Sequence, residues 1–224
     1  MWIFLLPGLS DTIQSVFEKV TECLLAILLV SALGWWLETG LKVKWHWQKF
    51  IPFLPLAIIP FLTVIFQINK FHAIGWAQLL IFALLALMVG FGEETIYRGI
   101  AVQALLPKGI MPAALFSALI FGLLHFANLL AGADPLATAV QVVFAILYAI
   151  VLTGPFVYTG FLWPLILLHG AQDFIAFWST GSIVNTSTPS ISETLTTLIL
   201  ILPFAGYGIW LLVRRARMIL EKSR

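Results

Sequence analysis

Long apolar runs separated by short polar stretches form the main pattern of this 224-residue chain. The runs are continuously apolar, which predicts membrane-spanning helices and excludes the alternating pattern of an outer-membrane barrel. Seven runs are close to the length that crosses a bilayer. They cover Ile13–Leu37, Ile51–Ile68, Ile74–Leu106, Met111–Leu130, Pro135–Val157, Phe161–Trp178 and Ile191–Val213. Neither a linker nor a repeat divides the chain. We therefore predict an all-α, polytopic transmembrane helical bundle of about seven spans, with residues 1–224 as a single unit.

Composition supports a membrane protein. Hydrophobic residues make up 61% of the chain and charged residues only 10%, whereas soluble domains carry roughly a quarter charged residues. The lipid bilayer is therefore the expected surrounding of the chain. A net charge of +2 gives no reason to expect nucleic acid as a partner.

The basic residues predict the orientation of the bundle. With the loop after the first span in the cytoplasm, nine basic residues fall on that side, Lys19 and Lys70 fall on the other, and Arg98 lies within a span. The positive-inside rule then places the N-terminus outside and the C-terminus in the cytoplasm, and we expect the plasma membrane. The nine are Lys42, Lys44, Lys49, Lys108, Arg214, Arg215, Arg217, Lys222 and Arg224.

Eight polar side chains from three of the predicted spans form the candidate set, although a charge at mid-bilayer costs a few kcal/mol. Measured along their helices from turns at Pro107 and Pro112, Glu93 and His125 both lie about 20 Å in. His169 lies about 14 or 21 Å in, depending on where its helix begins. These groups could therefore meet at one depth. The eight are Glu93, Glu94, Arg98, His125, Asn128, His169, Gln172 and Asp173.

Helical phase adds pairings to this set. Glu94 and Arg98 are four residues apart, as are His169 and Asp173, so each pair shares a helix face. Glu93 is rotated about 100° from Glu94 and can point elsewhere in the bundle. In contrast, the charged residues Asp11, Glu18, Lys19 and Glu22 near the start of the first span are expected to be solvated or interfacial. Gly90, Gly92 and Gly99 are expected to allow close approach of helices.

Three functions fit a buried acid–base set of this kind. One glutamate and one histidine could activate water while the second histidine and a polar partner stabilise an oxyanion. Alternatively, the groups could satisfy one another and fix the helix packing. A proton-relay transporter is the third possibility, but it predicts duplicated, interrupted helices, and the sequence has none.

Three motifs in the order expected for one known family carry this set of residues. GEETIYRG contains EExxxR, FGLLH contains FxxxH, and HGAQD ends in HxxxD after a TGFLW segment. Over residues 90–174 the chain thereby resembles the CAAX-processing and bacteriocin-processing family of intramembrane endopeptidases, which includes type II CAAX prenyl proteases. The resemblance implies hydrolysis of a peptide bond in a membrane-associated peptide or protein, with or without a lipid. The alternative on the same fold is a non-catalytic bacteriocin-immunity or scaffolding protein.

The resemblance also implies roles for individual residues. Glu93 would be the general base for the attacking water, which His125 would share, and Glu94 with Arg98 would hold the site together. His169 and Asp173 would form the oxyanion side; the family often has Asn, an amide donor, where this chain has Asp173. Asn128 either lines the site and binds substrate or hydrogen-bonds a neighbouring helix.

The cofactor stays open in the sequence. Members of the family are often labelled metalloproteases, and Glu93, His125 and His169 would make a three-ligand set for a divalent metal such as zinc. However, HExxH is absent, and a water activated by glutamate needs no metal. We favour metal-independent chemistry.

Overall fold

The computed structural model describes residues 11–183 and 190–222. Seven helices follow one another along the described chain, and no strand occurs among the described residues, so the all-α prediction is confirmed. Residues 184–189 of the loop expected to face outward, and Arg224, lie outside the described residues. The helices are α1 (Asp11–Leu33), α2 (Ile58–Gln67, after a 3-10 helix over Trp47–Ala57), α3 (Trp76–Glu94, continued by a π-helix over Thr95–Val102), α4 (Ile110–Leu124, continued by a 3-10 helix over His125–Ala131), α5 (Pro135–Thr159), α6 (Trp163–Thr180) and α7 (Ile191–Lys222).

The helices match the seven predicted runs, with most ends shifted by a few residues. The largest difference is at the end of α7, which continues from Val213 to Lys222. This end is rich in arginine, lysine and glutamate, which are good helix formers, so the helix extends beyond the apolar run.

Five helical stretches of the described residues are long and apolar enough to cross a membrane, which supports an integral membrane protein. They are Trp47–Lys70, Trp76–Lys108, Ile110–Leu130, Pro135–Thr159 and Ser192–Lys222. The other two helices, α1 and α6, are more polar. The middle of α1 contains Glu18, Lys19 and Glu22, and α6 contains His169, Gln172 and Asp173. These two helices therefore bring much of the polar chemistry into the bundle.

Glycines set the closest helix contacts, as the sequence suggested for Gly90. A Cβ atom at Gly90 of α3 would lie 2.5 Å from the Ile166 carbonyl oxygen and 3.1 Å from the Gly170 nitrogen of α6. The backbones of α5 and α7 approach equally closely at Gly154 and Gly208. A Cβ atom at Gly154 would lie 2.5 Å from the Gly208 carbonyl oxygen. Small residues permit such backbone approach in a bilayer, where packing replaces the hydrophobic effect. The α3–α6 contact brings together two of the three motifs, GEETIYRG on α3 and HGAQD on α6.

Three of the basic residues can be assigned to ends of the bundle. At one end a cavity of about 400 Å³ is lined by residues that include Lys49 and Tyr158, and the Arg214 guanidinium lies 5.6 Å from the Tyr158 ring. Lys70 pairs with Glu193 at the opposite end. Lys49 and Arg214 thus share one side, away from Lys70.

Candidate active site

The motif residues meet where α3 changes from α-helix to π-helix. Glu93 and Glu94 end the α-helical part, and Arg98 lies within the π segment. The Tyr97 carbonyl in that segment accepts a hydrogen bond from the Ser117 hydroxyl of α4 at 2.8 Å. Single π turns within helices are frequent at functional sites because they change the direction of side chains and carbonyls.

Glu94, Arg98 and His169 form a buried centre. Arg98 Nη1 donates to Glu94 Oε1 at 3.0 Å, and both side chains have no exposed surface. His169 Nδ1 lies 2.6 Å from the same carboxylate oxygen, across the α3–α6 contact. The predicted pairing of Glu94 with Arg98 is confirmed. Glu94 therefore neutralises one buried cation and anchors one histidine.

Phe121 completes the surroundings of Arg98. The guanidinium carbon lies 4.4 Å from the centre of the Phe121 ring, an arrangement in which the ring face attracts a cation. Nε and Nη2 of Arg98 make no hydrogen bond to the described residues. The ring contact thus takes the place of hydrogen bonds that the buried guanidinium does not make.

Glu93 lies in a different environment from its neighbour. Its side chain is 18% exposed, and its Oε1 lies 3.4 Å from the Lys19 ammonium of α1. Its Oε2 faces His169 Nε2 at 3.7 Å, longer than a hydrogen bond. Glu93 is thus accessible and incompletely bonded, whereas the Glu94 side chain is closed off.

The two nitrogens of His169 have separate partners. A carboxylate accepts hydrogen bonds, so the contact with Glu94 indicates a proton on Nδ1. Nε2 faces Glu93 Oε2 and also Asp173 Oδ2, the latter at 3.6 Å. The tautomer of His169 is therefore fixed by Glu94, and Asp173 lies on the reactive side of the ring, with its side chain 25% exposed.

His125 lies beside this centre without bonding directly to it in the described chain. Its Nδ1 lies 2.9 Å from the Phe121 carbonyl, and because a carbonyl only accepts, Nδ1 carries the proton. Its ring and that of His169 lie 5.0 and 6.0 Å from the Phe121 ring, both edge-on. In neutral His125, Nε2 is left as an acceptor.

Two further polar residues within the spans link helices. Asn128 donates to Gln141 of α5 at 2.9 Å, the neighbour-bonding alternative expected for it. Gln172 of α6 and Thr63 of α2 lie within hydrogen-bond distance, with Gln172 Nε2 donating at 3.2 Å.

The three candidate metal ligands are not gathered into one cluster. Among the described residues, no three histidine, cysteine, aspartate or glutamate side chains, Glu93, His125 and His169 included, are grouped closely enough to hold a metal ion. In each histidine Nδ1 is engaged, by Glu94 in His169 and by a backbone carbonyl in His125, so that Nε2 is the nitrogen left to face the site.

Sequence reasoning missed four residues at this site, two of them on α1. Lys19 and Glu22 were expected to be solvated or interfacial, but Lys19 contacts Glu93, and Glu22 contacts Lys19 at 2.9 Å. That expectation was wrong because α1 packs this face against α3, where Glu22 lies on Gly92 and Lys19 reaches Glu93. Phe121 and Tyr148 are the other two; the Tyr148 ring lies edge-on to His169 at 5.8 Å. The phenylalanine that begins FGLLH was the available signal for Phe121.

Comparison with known proteins supports the resemblance drawn from the motifs. Residues 75–175 match the family model described as Rce1-like: Type II CAAX prenyl endopeptidase Rce1-like. The matched region contains all six motif residues, so the suspected family resemblance is confirmed. The match supports CAAX-type intramembrane protease activity in general. No curated protein and no solved structure matches the chain.

Proposed function

From this similarity to type II CAAX prenyl endopeptidases, we propose that the chain hydrolyses a peptide bond of a membrane-associated substrate with water activated by Glu93. The single observation that carries the assignment is the contrast between the adjacent glutamates. Glu94 is fully buried and bound by Arg98 and His169, whereas Glu93 is 18% exposed and keeps Oε2 free of a short hydrogen bond. A general base must reach water. Glu94 Oε2 has no hydrogen-bond partner among the described residues, but it is buried, so Glu93 fits the role and Glu94 does not.

Glu94 and Arg98 then serve as the internal support of the site. Their ion pair has no exposed surface and binds Nδ1 of His169, so it sets the direction in which Nε2 points. Such support is needed because a reacting group displaced by about 1 Å can lose a hundredfold in rate.

His169 and Asp173 are proposed to stabilise the oxyanion. Nε2 of His169 lies within 3.7 Å of Glu93 Oε2 and 3.6 Å of Asp173 Oδ2, so the three groups surround one small region. Because Nδ1 already carries a proton, Nε2 donates when His169 is the imidazolium. That N–H, or a protonated Asp173 carboxyl, would donate to an oxygen that becomes negative there. His125, with Nε2 available as an acceptor, is proposed to orient the water.

The proposed reaction proceeds by two transfers. Glu93 takes a proton from water as the water oxygen bonds to the scissile carbonyl carbon, and the carbonyl electron pair moves to oxygen, facing His169 and Asp173. When the carbon–nitrogen bond breaks, that pair returns to form the new carboxyl group, and Glu93 passes the proton to the leaving nitrogen. The products are an amine and a carboxylic acid, which loses its proton to water, and the site returns to its starting state.

The substrate class follows from the location of the site in a membrane protein. A peptide must reach helices that are surrounded by lipid, so we propose a membrane-associated peptide or protein, with a prenylated cysteine near its C-terminus as the first candidate. We also propose a plasma-membrane location, with the N-terminus outside and the C-terminus in the cytoplasm.

Cleavage of matched peptides tests this function. The purified protein in detergent is incubated with a peptide that carries a prenylated cysteine followed by three residues, and with the same peptide lacking the prenyl group. Mass spectrometry is expected to show release of the C-terminal tripeptide from the prenylated peptide at a higher rate. Equal rates would remove prenylation from the proposal, and no cleavage of either peptide would favour a non-catalytic protein.

A further inference from the structure

Lys19 of α1 is surrounded by three carboxylates. Its ammonium lies 2.9 Å from Glu22 Oε2, 3.4 Å from Glu93 Oε1 and 3.7 Å from Glu18 Oε1. Glu18 and Glu22 share its helix, whereas Glu93 lies on the neighbouring α3 at the candidate active site. Lys19 therefore supplies the positive charge on the α1 side of the Glu93 carboxylate.

The face of α1 that carries Lys19 points into the bundle. Along the same face, Ala26 and Val30 are completely buried, and the side chains of Lys19 and Glu22 are only 18% and 19% exposed. On the opposite face Leu24 and Leu28 are 54% and 65% exposed, as expected of a surface in contact with lipid. The charged face of α1 is thus an internal one.

Close contact between α1 and α3 places Glu22 near Glu93. A Cβ atom at Gly92 would lie 2.9 Å from Glu22 Cγ. The absence of a side chain at Gly92, just before Glu93, therefore leaves room for the Glu22 side chain. Next to Glu22 on α1, the Cys23 thiol donates to the Met88 carbonyl of α3 at 3.3 Å. Glu22 is thereby held against α3, and it in turn holds Lys19.

We propose that Lys19, held by Glu22, is a positioning residue that orients the Glu93 carboxylate for catalysis. By binding Oε1 on one side, the ammonium directs Oε2 toward His169 and the attacking water. An ammonium has three N–H donors, and Lys19 directs one to Glu22 and one to Glu93, with the Glu18 carboxylate at 3.7 Å. The inference rests on the proposed function, because it assigns Lys19 to the same Glu93.

The test compares Lys19→Met and Lys19→Arg with the parent enzyme on one cleavable peptide, with kcat and KM measured separately. Lys19→Met is expected to lower kcat by about 10- to 100-fold, as misplacement of a reacting group does, with KM within about twofold. Lys19→Arg restores the positive charge and is expected to recover most of kcat.

Lys70→Met is the matched control. Lys70 also forms an ion pair with a glutamate of another helix, Glu193, and it is the other lysine assigned to the outer side, but it lies away from the site. Its kcat is expected to equal that of the parent. A loss of kcat in Lys70→Met equal to that in Lys19→Met would assign the effect to topology and overturn the inference.

Glu22→Gln provides a second measurement if Lys19→Met does not fold. It is expected to lower kcat less than Lys19→Met does, because Lys19 keeps its contact with Glu93 but loses its anchor. If Glu22 acts only through Lys19, the double variant has the kcat of Lys19→Met alone.

The outcomes distinguish a wrong role for Lys19 from a wrong proposed function. A parent enzyme that cleaves while Lys19→Met and Glu22→Gln keep its kcat overturns the role of Lys19 and leaves the proposed function intact. A Lys19→Met effect that lies in KM, or that Lys19→Arg does not reverse, also overturns it. A parent enzyme that cleaves no peptide overturns the proposed function and this inference together.

Discussion

Glu94 Oε1 lies 2.6 Å from Nδ1 of His169, and this contact joins α3 to α6 inside the bundle. The same oxygen accepts a hydrogen bond from Arg98. Replacement by Gln would leave the buried Arg98 without a counter-ion, and breaking a buried pair by removing one partner costs about 3–5 kcal/mol. We therefore expect Glu94→Gln to lower both cleavage and the thermal unfolding temperature of the protein in detergent.

A double variant separates the two effects of Glu94. In Glu94→Gln/Arg98→Met the unpaired cation is gone, so much of the lost stability should return. Cleavage should stay low, because His169 still lacks the carboxylate that orients it. Recovery of cleavage along with stability would show that the orientation of His169 by Glu94 does not matter for the reaction.

Asp173 is expected to tolerate asparagine. Because Glu94 already fixes the tautomer of His169, Asp173 is free to act on the reactive side of the ring, 3.6 Å from Nε2. If it donates directly to the oxyanion, Asn keeps a donor and Ala does not. We predict that Asp173→Asn retains substantial cleavage of one test peptide and that Asp173→Ala loses most of it. If both variants are equally inactive while folded, the negative charge of Asp173 acts through His169 instead.

Helical periodicity predicted the fold and part of the site. The seven apolar runs and the shared face of Glu94 and Arg98 depend on local spacing, which a sequence displays directly. In contrast, the contact of Lys19 with Glu93 joins residues 74 positions apart and depends on how α1 packs against α3. The π segment was also not predicted, because nothing in the apolar pattern of TIYRGIAV distinguishes it from an α-helix.

Replacement of Gly90 by alanine is predicted to destabilise the protein, although it adds only one methyl group. The Cβ atom of alanine would lie 2.5 Å from the Ile166 carbonyl oxygen, and backbone atoms cannot move aside without separating α3 from α6. We expect Gly90→Ala to destabilise the protein by about 1–3 kcal/mol, as overpacking does. Gly206→Ala on α7 is the matched control, since no atom lies within 4 Å of its Cβ position. Thermal unfolding of both variants checks the difference, and equal unfolding temperatures would contradict the close contact.

The proposed orientation predicts the location of three fusion sites. Reporter fusions after Lys49, Asp134 and Arg224 are expected to report inside, outside and inside, because the sequence assigns nine basic residues to one side of the membrane and basic residues mark the cytoplasmic side. Lys19 contacts Glu93 at the candidate site and is therefore no longer counted among the basic residues on the outer side. Lys70 alone remains on that side, so the difference in basic residues between the two sides becomes larger. An external signal after Arg224 would contradict the seven-span orientation.

The central claim is that Glu93 activates the attacking water. The measurement is the cleavage rate of the parent enzyme and of Glu93→Gln on one peptide, and thermal unfolding tests whether the variant is folded. The matched control is Glu38→Gln, which changes an exposed glutamate outside the site. Gln keeps the shape of Glu93 but cannot take a proton, so cleavage should fall by at least about a hundredfold, the low end of general-base contributions. The folded state and the activity of Glu38→Gln should be retained. A folded Glu93→Gln variant that cleaves at nearly the parent rate would contradict the account, because water would then be activated by another group.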